Sequence, residues 1–315
     1  MTKLTKSILI LAAAAATMPL LQGCFTGVES TPKITQREIK KRHITETAES
    51  KLLGDIRPQK PSEWKSGKQF YVCDDRIGLI LNPLNATADS LRNSLAGDTL
   101  TFCETTWANS LTGGQEAVME FEGPRGSRFT FRPGIPSVEF GERERLTLPF
   151  TVDLTQVREV ADRIKGRQYY ILVSRRTDSL GVETTGMRYQ PVTITDVTAG
   201  TDTQPLRVAF TDEAGQHRFV TMTLGNDATA TRNFDTLFAF DNPRKKYPNV
   251  TDEVWDLVVH SRVRAGMTPA ECRLALGAPN DYLRLPSTAG MVERWVYDDG
   301  VYLIFEDGQL ANFRK

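Results

Sequence analysis

The sequence is poor in the residue types that most often carry catalysis or bind metal ions. Its 315 residues include only three histidines and four cysteines. The histidines, His43, His217 and His260, are widely separated along the chain. The sequence contains neither a Gly-x-Ser-x-Gly nor a His-Glu-x-x-His motif, and it shows no Cys/His cluster with the spacing of metal ligands. We therefore predict that the protein is not an enzyme, has no catalytic residues and uses neither a metal ion nor a cofactor.

An excess of charge and long apolar runs are lacking as well. The 39 Lys and Arg residues balance the 39 Asp and Glu residues, so the formal net charge is zero. No overall field therefore attracts the chain to nucleic acid, which we do not expect as a partner. Beyond the first two dozen residues, no apolar run approaches the roughly 20 residues of a membrane-spanning helix. The length allows two or three domains.

The N-terminus has the pattern of a lipoprotein signal peptide over residues 1–23. Lys3 and Lys6 precede an apolar stretch at 7–21 that is too short to span a bilayer. The stretch ends in Leu-Gln-Gly-Cys at 21–24, which resembles the lipobox of bacterial lipoproteins. That resemblance implies cleavage before Cys24 and attachment of acyl chains such as palmitate to it, which would anchor the protein in a membrane. The alternative is an ordinary secretory signal that happens to contain a cysteine.

The residues after Cys24 indicate a compartment and a tether. Residues 25–33 look like the mature start of lipoproteins from Bacteroides-type bacteria, and they lack the acidic run typical of surface-exported lipoproteins of that group. We therefore expect the periplasmic face of the outer membrane rather than the cell surface. Residues 24–65 are predicted to form a tether with a solvated helix over about 35–54. The basic run at 40–42 could touch anionic lipid headgroups, although a solvated helix face is the more common use of such a run.

The middle of the chain contains an approximate internal repeat. Residues 67–72 match residues 166–171, and residues 117–131 match residues 206–222. The matching stretches alternate between apolar and polar side chains, which is typical of strands with one buried face.

Each copy of the repeat is predicted to form three strands, a turn and a fourth strand. Gly126 and Gly215 stand at the turns, where a positive φ is needed. We predict two small antiparallel β modules, the first over 66–135. The second, over 136–242, includes a linker and a short helix at 154–164. Modules of this kind could bind peptidoglycan or a protein.

Cys73 and Cys103 lie thirty residues apart in the first β module. An exported protein can form disulfides, so these two cysteines could be bonded. Two separate core thiols fit the sequence equally well, because a sequence does not fix the geometry of the pair.

A basic run at Arg244, Lys245 and Lys246 marks the boundary of the C-terminal region. The run is a candidate partner patch, and the alternative is a solvated turn. After it, Thr251 begins one predicted helix. A second is predicted from Thr268, with a Thr-x-x-Glu capping box.

The second helix is well marked in the sequence. Pro269 takes its first position and Gly277 ends it. Cys272 inside it is predicted to be a small buried residue rather than a reactive thiol.

Three strands are predicted after these helices, over 293–297, 301–305 and 309–314. The acidic pairs at 298–299 and 306–307 could be read as ligands. Each pair directly precedes a glycine between apolar runs, so we interpret them as turns.

Several short sequence motifs in this region resemble those of the BamE (SmpA/OmlA) family of outer-membrane lipoproteins. They are Gly-Met-Thr at 266–268, Ala-Leu-Gly-Ala-Pro at 275–279, Trp-Val-Tyr at 295–297, Leu-Ile-Phe at 303–305 and Gly-Gln-Leu-Ala-Asn at 308–312. The resemblance implies a helix-helix-three-strand module over residues 250–315. It also implies a role in assisting the insertion of β-barrel proteins.

The sequence thus predicts an α+β fold, with two small antiparallel β modules in tandem followed by this C-terminal module. The predicted function is that of a non-enzymatic outer-membrane lipoprotein. It would act as a scaffold for envelope proteins, as an accessory of outer-membrane protein assembly or of envelope integrity. The alternative is a lipoprotein that binds cell wall or glycan through its tandem β modules.

Overall fold

The computed structural model describes residues 48–84, 94–110, 113–224, 232–287 and 290–314. These residues belong to one compact unit, Glu46–Lys315. The predicted signal peptide, the lipid-attachment residue Cys24 and the basic run at 40–42 lie outside the described residues. Helix α1 (Ala48–Gly54) lies at the end of the helix predicted for the tether. It is not the solvated helix that was predicted, because Leu53 and the following Ile56 are buried in the core of the second β module. None of the helices in the described ranges is both long enough and apolar enough to cross a bilayer.

The first β module is a six-stranded antiparallel sheet. Its strands are β1 (Gln69–Val72), β2 (Leu81–Pro83), β3 (Thr99–Asn109), β4 (Gln115–Glu122), β5 (Arg128–Phe131) and β6 (Thr151–Asp153). Their order across the sheet is β2-β5-β4-β3-β1-β6. Helix α2 (Ser137–Phe140) packs beside β4. The core of this module includes Phe140 and Leu148, so it continues past the boundary predicted at residue 135.

The second β module is a seven-stranded antiparallel sheet. Its strands are β7 (Gln168–Ile171), β8 (Arg175–Asp178), β9 (Glu183–Thr185), β10 (Pro191–Ala199), β11 (Leu206–Asp212), β12 (His217–Met222) and β13 (Phe238–Ala239). Their order is β13-β7-β10-β11-β12-β8-β9.

Two helices belong to the second module. Helix α3 (Leu154–Ile164) lies where the sequence predicted it, and the Asp153 side chain caps it by accepting from the Thr155 amide at 2.8 Å. Helix α4 (Phe234–Leu237) precedes β13.

The sequence repeat is also a repeat of hydrogen bonding. β3 carries a bulge between Phe102 and Glu104, and β10 carries one between Ile194 and Asp196. In both modules the residue before the bulge donates its amide to the residue that directly precedes the module's first strand. Phe102 donates to the Lys68 carbonyl at 2.7 Å, and Ile194 donates to the equivalent carbonyl at 3.0 Å. A bulge at the same place bends both sheets at the same place.

The C-terminal region packs two helices on a four-stranded antiparallel sheet. Its elements are α5 (Asp252–Val259), α6 (Pro269–Leu276), β14 (Asp281–Ser287), β15 (Gly290–Val296), β16 (Tyr302–Glu306) and β17 (Gln309–Arg314). The strands lie in chain order across the sheet. Helix α6 begins as predicted, with Thr268 and Glu271 forming both bonds of the capping box. The core between helices and sheet contains Trp295 and Phe305.

The second β module completes this C-terminal core. Tyr189, in the loop between β9 and β10, packs against the C-terminal cluster, with its ring centroid 5.4 Å from that of Trp255. Its hydroxyl donates to the Leu274 carbonyl at 3.0 Å. The neighbouring Arg188 donates to the Ala275 carbonyl at 2.7 Å, at the end of α6. A cation placed there pairs with carbonyls that have no partner within the helix. The C-terminal region and the second module are therefore packed as one body.

The predicted fold class is wrong. Of the residues that the structure describes, 38% are in strands and 24% in helices, and the described strands form three sheets. The C-terminal region is not a small helix-helix-three-strand module, because β14 adds a fourth strand and Tyr189 joins its core. The sequence pattern did not predict β14, because Pro286 interrupts a run in which charged and apolar residues are mixed.

Candidate functional site

The described histidines have local structural partners. His217 is exposed at the start of β12 and lies 3.0 Å from the Thr211 hydroxyl. His260 follows α5, with its Nδ1 2.8 Å from the Asp256 carbonyl oxygen. His43 lies outside the described residues. Among the residues that the structure describes, no three His, Cys, Asp or Glu side chains are grouped so as to hold a metal ion.

The structure has Cys73 and Cys103 as free thiols, and both are partly exposed rather than in the core. Gln69 pairs with Thr101 and Tyr71 with Thr99, so the two cysteines lie at opposite ends of the β1–β3 pair. About six residues of strand separate them, which is roughly 20 Å. A disulfide needs Cα atoms within about 7 Å, so these two residues cannot be bonded in this fold.

The acidic pairs in the C-terminal region lie in turns, as the sequence indicated. Residues 298–300 form a single 3-10 turn between β15 and β16. Asp307 has a φ of +48° and Gly308 a φ of +80°, which is the backbone of a tight hairpin. The Asp307 carboxylate also accepts from the Met291 amide at 3.2 Å. That carboxylate therefore stabilises the turn.

The three residues of the basic run at 244–246 differ in burial. Arg244 is half-buried, donates to the Val250 carbonyl at 2.6 Å and pairs with Asp252 at 3.0 Å. Its guanidinium also lies 5.1 Å from the Trp255 ring centroid. Lys245 and Lys246 are exposed. Arg244 thus ties the 3-10 turn to α5, and the two lysines are the exposed members of the run.

The first candidate surface is the C-terminal sheet around β14. Helices α5 and α6 cover the face that carries Trp295, Leu303 and Phe305, which are almost fully buried. On the opposite face, Leu283 and Leu285 of β14 are 53% and 52% exposed. We call that opposite face the open sheet face. The remaining apolar members of this face are half-buried, and they are Val292, Val296, Tyr302 and Ile304.

The covering helices do not extend over β14. Tyr282 points to the helix side, since it pairs with Trp295, yet it is 62% exposed. Among the described strands β14 has a neighbour only on one side, so its other edge presents unpaired backbone groups. β14 is thus open on both faces and along one edge. Sequence reasoning missed these leucines because it missed the strand.

The second candidate surface is a cleft of about 860 Å³ between the two β modules, which we call the inter-module cleft. One wall is the segment 54–59 after α1, and the other is the segment 145–148 before β6. Ile56 of the first wall is buried in the core of the second module, and Leu148 of the other wall is buried in the core of the first. The cleft therefore follows the junction of the modules, where ligand sites are common.

A buried ion pair lies beside this cleft. Lys68 Nζ is 2.6 Å from the Asp153 carboxylate, and both side chains are largely buried. The same ammonium donates to Gln59 at 3.1 Å and to Thr155 at 3.3 Å. All three donor positions of the lysine are used, which is how a buried cation is tolerated. This pair joins the first wall, β6 and α3, so it holds the cleft in shape.

Comparison with known proteins adds no relative to this geometry. No family model, no curated protein and no solved structure matches the chain. The chemistry of the two surfaces therefore carries the functional argument.

Proposed function

We propose that the protein is a lipid-anchored, non-enzymatic interaction protein of the outer membrane that binds a partner protein through its C-terminal sheet. The lipobox ending at Cys24 supports the anchor. The open sheet face supports the interaction, because Leu283 and Leu285, neighbours on that face of the edge strand, are each more than half exposed. Clustered apolar side chains on a protein surface mark sites of protein binding.

The partner best suited to this surface is an extended chain that pairs with β14. An added strand would use the free backbone edge for hydrogen bonds, and its alternate side chains would cover Leu283 and Leu285 on one side and Tyr282 on the other. Pro286 lacks an amide, so pairing is limited to the first part of the strand. A short edge of this kind resists uncontrolled aggregation.

A photocrosslinking amino acid at position 285 tests the interaction in intact cells. We expect a discrete adduct with one envelope protein. The same amino acid at position 180 should give none, although Leu180 is 85% exposed. With the crosslinker at 285, Leu283→Glu should remove the adduct, because it replaces one of the two exposed leucines of the open sheet face with a carboxylate. Equal crosslinking at 180 and 285, or none at either, would exclude this surface.

The identity of the adduct separates the forms of the proposal. An outer-membrane assembly component would support the role that the resemblance to the BamE family implies. Co-sedimentation of the full chain with purified peptidoglycan, unaffected by Leu283→Glu and without any adduct, would instead favour the glycan-binding alternative. The anchor is tested by Cys24→Ala, which should abolish incorporation of labelled palmitate and release the chain from membranes.

A further inference from the structure

One wall of the inter-module cleft is extended chain with free backbone groups. Arg145 and Thr147 are exposed while Leu146 is half-buried and Leu148 buried, which is the alternation of a strand that covers a core. Residues 144–147 nevertheless belong to no sheet. Within the described part of the chain, their amides and carbonyls make no hydrogen bond to another residue.

This arrangement amounts to an unpaired strand edge beside a cleft. Backbone groups that lack a protein partner must bind water or a ligand. The salt bridge between Lys60 Nζ and Glu144, at 2.6 Å, ties the two walls together at one end. The opposite wall is also irregular chain, held by Ile56 in the core of the second module. The free edge of 144–147 is thus fixed in position by buried neighbours, as a peptide-binding edge must be.

Two of the three acidic side chains that line the cleft are paired with cations outside the lining. Of its acidic side chains, Asp55 is paired with Arg163 and Asp153 with Lys68, and neither cation belongs to the lining.

Two arginines of the lining form no ion pair with the described residues. Arg145 has no ion pair among the described residues, and the Arg57 guanidinium donates only to carbonyls, those of Gly54 and Ile56. Asp202 is the one lining carboxylate without an ion pair in the described part of the chain. Two arginines facing a cleft favour a ligand with carboxylates, because guanidinium binds carboxylate through paired hydrogen bonds.

We propose that the inter-module cleft binds an extended acidic peptide segment of a partner protein, which adds as a strand to residues 144–147 and places carboxylates against Arg145 and Arg57. Backbone pairing supplies the general affinity, and the arginines select acidic sequences. The site is separate from the C-terminal sheet and does not depend on the function proposed for that sheet.

A random octapeptide library displayed on phage, selected on the immobilised full-length chain in mild detergent, tests the proposal. We expect the selected peptides to be enriched in Asp and Glu and to compete with one another. The strongest peptide is then synthesised and its binding measured by fluorescence polarisation. Arg145→Glu should weaken binding about tenfold or more, since a charged hydrogen bond is lost and a repulsion is added. Methylation of alternate peptide amides should weaken binding comparably.

Arg143→Glu is the matched control. Arg143 is exposed on the same segment, two residues away, but it does not line the cleft. This variant should bind within about twofold of the unmodified chain. Selected peptides without acidic enrichment, equal binding by the Arg145→Glu variant, or a library that yields no binder would each overturn the proposal. So would an Arg145-dependent affinity for peptidoglycan fragments or anionic vesicles without peptide binding.

Discussion

The three described cysteines differ in burial and therefore in reactivity. Cys272 is fully buried in the C-terminal core, and burial raises its pKa to about 12. Cys73 and Cys103 are partly exposed, and burial raises the pKa of the Cys73 thiol as well. Since only the thiolate attacks an alkylating reagent, the core cysteine is protected both by access and by protonation.

We expect iodoacetamide at pH 8 to modify Cys73 and Cys103 of the native chain well before Cys272. Mass spectrometry of tryptic peptides over a time course measures the three rates. In denaturant all three should react at similar rates, which serves as the control. A native Cys272 that reacted as quickly as Cys103 would show that α6 is not packed as described.

At the scale of single elements, carboxylates and guanidinium groups hold irregular segments in place through hydrogen bonds to backbone groups. Asp75, at the start of the 3-10 turn Asp75–Leu79, accepts from the amides of Leu95 and Ala96, both at 2.9 Å. The Ser94 hydroxyl donates to it at 3.0 Å. The Ala96 amide is the main cause of the lowered pKa of this carboxyl, with Ser94 next. The turn and the approach to β3 are thus held by one ionised side chain.

This carboxylate predicts a pH dependence of stability. A pKa below the unfolded value of 3.8 means that ionised Asp75 stabilises the fold above about pH 4, and that this stabilisation is lost as the pH falls through the lower folded pKa. Asp75→Asn should therefore destabilise the chain at pH 7 and progressively less at pH 4 and below. Urea unfolding from pH 7 to pH 2.5 measures it, with exposed Glu139→Gln as the control. A destabilisation that did not change with pH would contradict this account.

Arg188 links the second module to helix α6, and its substitution measures how much this link contributes to stability. Its guanidinium donates to the Ala275 carbonyl at 2.7 Å and to the Leu172 carbonyl at 2.8 Å. Arg188→Met should cost about 2 kcal/mol of unfolding free energy, because both carbonyls lose a charged donor. Chemical denaturation measures the loss, and hydrogen exchange should show faster exchange in α6. Arg262→Met, at an exposed arginine of the same region, should change stability by less than about 0.5 kcal/mol.

At the scale of the whole molecule, the C-terminal region depends on the rest of the chain. Tyr189 and Arg188 come from the second module, and Tyr189 packs against the C-terminal core. A fragment of residues 250–315 lacks both residues and exposes the surface that they cover. Small domains are marginal even with complete cores.

We therefore expect the fragment 250–315 to be largely unfolded in isolation, with poorly dispersed amide signals in its NMR spectrum. Adding the separately produced fragment 46–249 should restore dispersion if the two parts recognise each other. A cooperatively folded 250–315 fragment would show instead that the contacts of Tyr189 and Arg188 are dispensable.

Much of the secondary structure follows from local chemistry. The helix predicted from the capping box at Thr268 and the short helix predicted at 154–164 are both present, since helix caps act within a few residues. The turns at Gly126 and Gly215 and the strands around them also lie where the repeat placed them. β14 was not predicted, because its apolar and polar residues do not alternate regularly. Its extended conformation depends instead on pairing with β15.

The sequence by itself determined the repeat and most of the described helices and strands, because each depends on residues close together in the chain. Only the tertiary structure decided that Cys73 and Cys103 are too far apart to bond, that the C-terminal region shares its core with the second module, and that a cleft forms at the module junction. The physical reason is the same in each case. These features depend on strand register and on side chains that meet across long separations, and no local pattern encodes either.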